Sequence, residues 1–479
     1  MNDNRPNRRR ERVLWSSITA VLVIVVLVLA STPSAFAQAR SDTDQAMEIL
    51  ESVFRFIQES YVEDVDTDTL LEGALRGLFE SLDDPYSAYL DEADMRNLTD
   101  TTEGEFGGVG MFIAKERPEE NAENSGFVEI IAPIDDTPAF RAGLRAGDLI
   151  VGLRDADGEE FLPTDEMSID EAVDRLRGTP GTRVVIQVRR GERAEFTVTL
   201  ERAVIQVPTA RHAMIDEEIA FLRIIRFTPQ TVQAVQEAID FFEQNDYQEL
   251  IIDLRTNPGG LLSAVIDVTD LFFDDGTIVG TSSRVPQEND RFTATDGVSV
   301  DPEIPVVVLI NQGSASAAEI MAGALQDRDR AYLIGETTFG KGSVQQIRRI
   351  ADGGFRLTMS RYYLPSGRFI DEVGVDPDLS VETPELTDDE TEAYAELRNS
   401  GRIESWVSDN LDPSDPQIDR FVDGLQNEGF NVPDRFIKVT IRDELNRQNN
   451  QTQVYDLEYD VVLQEAVELL REGQVPAGR

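Results

Sequence analysis

The sequence predicts an α/β protein in which a smaller β-rich module interrupts the core and helical regions stand at either end. Three observations carry this expectation. From about residue 218 to 382 strand-like and helix-like text alternates at short pitch, and the strands, PVVVLI above all, lack a polar face, as buried parallel strands do. From 104 to 203 short strands follow one another between glycine turn signals. From 41 to 98 apolar residues recur at helical spacing in AMEILESVFRFIQESYV and DTLLEGALRGLFESL, with a break at DDP.

The chain opens on Arg5, Arg8, Arg9, Arg10 and Arg12, continues into the apolar run ITAVLVIVVLVLA, and reaches a small-residue site at Ala35-Phe36-Ala37. A basic start, an apolar stretch and small residues read as an export signal over 1–37, which puts the working part in the cell envelope or periplasm. Counted back to Val13, the run approaches membrane-spanning length, so an inner-membrane anchor over 13–30 is the alternative to cleavage. The helical region 41–103 comes next, then EGEFGGVGMFIA, a glycine-rich entry into a strand. GFVEIIAPI, GDLIVGLRDADG, TRVVIQVRRGE and EFTVTLER read as further strands, with SIDEAVDRLRG as a helix among them. In the core, IAFLRIIRF, ELIIDLR and PVVVLI read as strands, each followed by a helical segment. AYLIGE, SVQQIRRI and FRLTMSRYYL read as strands after them. Beyond 384 the acidic PELTDDETEAYAE reads as a solvated linker or face, and the chain closes on helical text ending in VVLQEAVELLREG.

Composition removes whole classes of function. The chain of 479 residues has no cysteine, which excludes thiol nucleophiles, disulfides and cysteine-held zinc, and its single histidine, His212, leaves little for a metal site. His212 sits in the polar VPTARHAMIDEE and is expected to be exposed. With 91 acidic against 44 basic side chains the formal charge is −47, which repels a phosphate backbone and excludes nucleic acid as a partner.

Chemistry concentrates in three short stretches. In NQGSASAAE, Ser316 lies between two alanines at the start of a helix whose first N–H groups lack helical partners and suit an oxyanion. Glu319, three residues on, also makes the S-x-x-E of a capping box, so Ser316 is either a nucleophile or a cap, and Ser314 competes for both roles. In TTFGKGSVQ, Lys341 stands between Gly340 and Gly342; if the segment is extended, Lys341, Ser343 and Gln345 project to one side and Gln345 can hold the amine. As a base near neutral pH such a lysine must drop from about 10.4 to roughly 7 to 8, a difference of about 4 kcal/mol that burial without a carboxylate favours. A surface lysine in a glycine loop is the other reading. In DLRTNPGG a strand ends in a turn whose backbone N–H groups can face a carbonyl oxygen, or which is only a turn.

The order and spacing of SLDDPYSAYL, FGGVGMFI, TPAFRAGLRAGDLIVGL, LRGTPGT, DLRTNPGGLL, NQGSASAAEIMAGALQD, TTFGKGSVQ and YYLPSGRFI resemble the carboxyl-terminal processing peptidases, or tail-specific proteases, over about residues 45 to 382. The resemblance implies Ser316 as nucleophile, Lys341 as general base and Gln345 as the residue orienting the lysine, with Glu319 structural. It implies Ala317 and Gly260 as oxyanion donors, with two adjacent glycines, Gly259 and Gly260, offered by the turn for the second. The implied fold is a crotonase/Clp-like α/β protease core over 204–384, with a PDZ-like domain inserted at 104–203 and an acidic linker and helical region at 385–479. A PDZ-like groove adds a peptide as a strand and holds its carboxylate on backbone N–H groups. Gly107, Gly108, Val109 and Gly110 are the implied loop, Val109, Met111 and Ile113 the implied pocket, and Arg177 the implied link between occupancy and activity. Ala318 departs from the serine that relatives often carry.

The expected function is thus an exported serine endopeptidase acting on C-terminal or unstructured tails, without metal or cofactor. Self-association through the terminal regions and delivery of substrates by an adaptor protein accompany that expectation. The alternatives are a catalytically inactive PDZ scaffold and acyl-CoA chemistry on the same core.

Overall fold

A computed structural model describes residues 35–115, 126–134, 137–145, 147–156, 158, 160–191, 194–350, 353–449 and 453–476. The expected export segment and anchor therefore lie outside the described residues, apart from positions 35–37. Among the described residues no helix is long and apolar enough to cross a membrane. The described residues fall into two compact units, one ending at Tyr89 and one beginning at Leu90.

The first unit holds helices α1 (Ala35–Ser60) and α2 (Thr67–Glu80), and Asp66 caps α2 by accepting from the N–H groups of Asp68 and Thr69. Both helices carry exposed apolar side chains, Phe56 and Leu78 among them.

The second unit begins with helix α3 (Glu92–Glu103) and strand β1 (Glu105–Gly108). A β-rich lobe follows, with β2 (Met111–Lys115), β3 (Val128–Pro133), β4 (Leu149–Asp155), helix α4 (Ile169–Leu176), β5 (Arg183–Arg190) and β6 (Ala194–Glu201). Its strands pair antiparallel in the order β2-β3-β4-β5-β6, which leaves β2 at an edge. Val128, Ile130, Ile150, Leu153, Ile186 and Leu200 alternate inward and fill the lobe's core with Ala172 and Leu176 of α4. Strand β7 (Ala203–Gln206) pairs antiparallel with β1, so the strands that enter and leave the lobe lie side by side, as an insertion requires.

The core sheet comprises β8 (Ala210–Met214), β9 (Ile219–Ile224), β10 (Glu249–Asp253), β13 (Val306–Ile310), β14 (Tyr332–Gly335) and β17 (Leu379–Ser380), in that spatial order. All neighbours are parallel except β8 and β9. Helices α5 (Thr231–Gln244), α6 (Leu262–Asp270) and α7 (Ala317–Asp327) cover one face. The C-terminal helix α12 (Val461–Arg471) covers the other, packing Val462, Leu463 and Ala466 on Ile251, Val307 and Leu309. Coverage on both faces is why VVVLI is apolar throughout. A second antiparallel sheet joins β11 (Thr277–Ser282), β12 (Arg291–Thr293), β15 (Ser343–Ile350) and β16 (Gly353–Tyr363).

The acidic run after 384 is the solvated face of a helix and not a linker, with Glu385, Asp388, Asp389, Glu392 and Glu396 exposed. Helix α8 (Asp388–Asn399) starts at a capping box of Thr387 and Glu390, and its acidic first turn suits the positive end of the helix. Leu386, Ala393, Tyr394 and Leu397 then reach a small core shared with α9 (Arg402–Asp409), α10 (Asp415–Asn427) and α11 (Asp434–Gln448). Charge masked the apolar spacing in the sequence. His212 is likewise not exposed: it lies in β8, half-buried, with its ring 4.9 Å from Phe241 and 5.7 Å from Phe242, and burial lowers its pKa.

Candidate active site

Ser316 sits on the tight turn between β13 and α7 with φ +56°, in the left-handed region that residues with a Cβ avoid, and it is 8% exposed. Its neighbour Ser314 is fully buried and committed elsewhere: Oγ donates to the Leu254 carbonyl at 2.7 Å and accepts from the Asn311 N–H at 3.1 Å. Of the two serines, Ser316 alone stands at the helix start, and it is a hydrogen-bond partner of the buried Tyr362 phenol. Burial pushes that phenol up to about 12, so it stays protonated at neutral pH.

Glu319 is both halves of its expected role at once, helix cap and site residue. Its carboxylate, 0% exposed, accepts four hydrogen bonds: from the Ser316 N–H at 2.7 Å and the Lys341 N–H at 2.8 Å on Oε2, and from the Thr338 hydroxyl and the Gly340 N–H, each at 2.6 Å, on Oε1. One oxygen thus carries the backbones of Ser316 and Lys341 together. Burial raises the Glu319 pKa against the opposing pull of those four donors.

Lys341 belongs to the loop before the strand, since β15 begins at Ser343 and Gly340 turns the chain at φ +87°. Within β15 Ser343 and Gln345 still meet on one side, since the register shift at Val344/Gln345 leaves the extra residue, Met359, on the partner strand β16. Gln345 donates its amide to the hydroxyls of Ser343 at 2.9 Å and Thr358 at 3.2 Å. The Lys341 amine is half-buried, and its pKa falls below 10.5, chiefly through burial, then through the Arg356 charge, against the upward pull of Glu319.

The turn after β10 faces Ser316. A Cβ on Gly259 would lie 2.8 Å from the Ala315 carbonyl oxygen and 2.9 Å from both Ala317 N and Ser316 Cβ, and Gly259 has φ +98°. Gly260 instead lies against Phe227, bracketed by bonds from Phe227 N–H to Gly259 O and from Leu261 N–H to Phe227 O. The Gly259 N–H is taken by the Asn257 side chain at 2.9 Å, whereas the N–H groups of Gly260 and Ala317 donate to no acceptor among the described residues. Asn257, fully buried, also donates to the Ile224 carbonyl and accepts at its own carbonyl from the Ala315 N–H. Sequence reasoning passed over Asn257; an asparagine before Pro-Gly reads as turn chemistry, and only its burial reveals the cross-link.

In the lobe, Gly107 and Gly108 pair with Val204 and Ala203, and Gly110 turns at φ +79° with its carbonyl accepting from the Thr137 hydroxyl at 2.8 Å. Val109, expected in a side-chain pocket, is 3% exposed because its side chain packs in the lobe core. Met111 and Ile113 are half-buried against that core on edge strand β2. Arg177 ends α4 with its guanidinium 4.8 Å over the Phe106 ring, and both line a cleft with Arg226 and Thr228, the residues on either side of Phe227. Among the described residues no group of histidines and carboxylates could hold a metal ion.

Comparisons with known proteins agree with this layout. Residues 218–381 match the model for peptidase family S41, residues 129–190 that for the PDZ domain, and residues 29–94 that for the activating protease CtpB N-terminal domain. The carboxy-terminal-processing protease of Bartonella bacilliformis is 39% identical over 69% of this chain and 74% of its own. The carboxyl-terminal-processing protease of Synechocystis is 32% identical over 83% of this chain and 94% of its own. Among solved structures, the photosystem II D1 C-terminal processing protease is 27% identical over 69% of this chain and 92% of its own, at a TM-score of 0.41.

Proposed function

The chain belongs to the carboxy-terminal processing proteases, PDZ-containing serine peptidases of family S41, and from that premise we propose that it cuts proteins near their C-terminal or unstructured tails through a Ser316–Lys341–Gln345 centre. Ser316 Oγ attacks the peptide carbonyl carbon while its proton passes to the Lys341 amine. The carbon–nitrogen bond then breaks, and the leaving amine takes that proton. Neutral Lys341 next removes a proton from the water that hydrolyses the ester, which frees the carboxylate product and restores the hydroxyl.

The observation that carries this reading is the Glu319 carboxylate, which joins the backbones of Ser316 and Lys341 on one oxygen. The lowered amine pKa supports it, because a lysine must be neutral to accept a proton. Gln345, with its amide N–H groups on Ser343 and Thr358, keeps its carbonyl oxygen as an acceptor that orients the amine without adding charge. The N–H groups of Gly260 and Ala317 serve the oxyanion; the Gly259 N–H is already used.

The substrate tail adds to edge strand β2, with its carboxylate toward the Gly107–Gly110 loop and its side chains on Met111 and Ile113. Arg177 transmits occupancy through the cleft it shares with Arg226 and Thr228. A location in the cell envelope, for which the basic and apolar N-terminal text speaks, belongs to the same proposal, as do assembly through the terminal regions and delivery by an adaptor. Incubation of an unfolded protein substrate with wild type, Ser316→Ala and Lys341→Ala tests the centre. Cleavage is expected from wild type alone; cleavage surviving in either folded variant rejects the assignment.

A further inference from the structure

The C-terminal helix reaches the turn that faces Ser316, through a pair of side chains 205 positions apart. Arg255 is the second residue after β10 and the second before Asn257. Its guanidinium forms two forks. Nε and Nη2 donate to Oδ1 and Oδ2 of Asp253 at 2.9 and 2.8 Å, and Nη1 and Nη2 donate to Oδ1 and Oδ2 of Asp460 at 2.8 and 2.6 Å. The three side chains are largely out of solvent, Asp253 at 1%, Arg255 at 17% and Asp460 at 19% exposure. Two bidentate forks on one planar group fix its position and orientation, which a single pair between flexible chains does not.

What these forks hold is a strained segment. Thr256, next to Arg255, has φ +59°, a left-handed conformation that a β-branched residue keeps only when its surroundings enforce it. Its own N–H is held by the Asn311 side chain, which accepts it at 2.8 Å. The residue before it, Arg255, is held by its two forks. Three residues after Thr256, Gly259 lies so near the Ser316 backbone that a side chain has no room, and the Gly260 N–H donates to no acceptor among the described residues.

Asp460 is itself anchored. Its carboxylate accepts from the Leu463 N–H at 3.0 Å at the start of α12, and α12 packs its apolar face on the core sheet. The turn before it is held by Asp456, which pairs with Arg442 of α11 at 2.6 Å.

We propose that Asp460 is a positioning residue for the peptidase reaction: through Arg255 it holds the Thr256–Gly260 turn against Ser316, so that the C-terminal helix is part of the oxyanion site. This rests on the catalytic reading above. Asp460→Asn keeps the shape and removes the charge; Asp460→Glu keeps the charge and shifts the carboxylate by one methylene.

The test measures kcat and KM on a tail peptide, and the affinity of a peptide aldehyde, whose adduct with the serine presents an oxyanion to the turn. Ser316→Ala runs alongside. Asp460→Asn is expected to lose kcat by roughly 10- to 100-fold with KM within about twofold, as small misplacements of catalytic groups do. Aldehyde affinity is expected to fall in proportion to kcat, and Asp460→Glu to lie between the two. A folded Asp460→Asn with unchanged kcat, or one whose kcat falls while aldehyde affinity per folded molecule holds, overturns the proposal. Should Asp460→Asn not fold, Asp460→Glu decides by the same comparison, wild-type values overturning it. Residual cleavage by Ser316→Ala would reject the catalytic reading instead, whatever the Asp460 variants do.

Discussion

Glu319 does more than a position three residues after Ser316 asks of a helix cap. In Glu319→Gln the amide N–H2 must replace one carboxylate oxygen, and at Oε2 it would meet the Ser316 and Lys341 N–H groups head on. Each buried donor left unpaired costs about 1–3 kcal/mol. The variant is therefore expected to unfold at lower denaturant and to lose most of its kcat, and wild-type values in both would show that the four bonds hold nothing. Lys341 gives a separate expectation. Its pKa is lowered from 10.5, and only the neutral amine accepts a proton, so kcat/KM rises with pH through that lowered value and levels off above it. Arg356 contributes to the lowering, so Arg356→Gln should move the rising limb to higher pH; a pH–rate profile that shifts the other way contradicts the assignment of Lys341 as base.

The turn and the strand-to-helix elbow make one element pair, and their contact is steric. Gly259→Ala places a methyl under 3 Å from three atoms of the Ser316 elbow, at a φ that alanine disfavours. A loss of roughly 100-fold in kcat/KM is expected, with the fold retained by circular dichroism. Ser314→Ala is the reverse case, expected to cost about 1–3 kcal/mol of stability in denaturant titration while the folded enzyme still cleaves. At this scale much was legible in the sequence. Period and apolarity placed the core strands and helices, because PVVVLI and its neighbours are covered on both faces and carry no polar residue to confuse the reading. The tight turn that carries Ser316 was legible as well, yet which of Ser314 and Ser316 was committed elsewhere depended on the Leu254 carbonyl, a partner 60 positions from Ser314. The start of α8 was obscured by its own acidic first turn, and the bulge at Met359 in β16 leaves no mark that alternation can read.

Across the whole molecule the long-range ion pairs were the least visible feature, since nothing in DLR or in EYDVV says that Arg255 and Asp460 meet. The −47 charge was fully visible, and it sets a stability condition. Like charges repel across the surface, and salt screens them over about 8–10 Å at physiological strength. The melting temperature is expected to rise from low salt to roughly half-molar sodium chloride; a flat or falling response would mean that local pairs already neutralise the surface. The centre that all of this serves is tested most directly by mass spectrometry of enzyme quenched in acid during turnover of a tail peptide. An ester adduct with the mass of the substrate's N-terminal fragment is expected on the segment that contains Ser316, and in Ser316→Ala it should vanish with the cleavage. Turnover with that adduct on another residue, or cleavage by the alanine variant, would contradict the account.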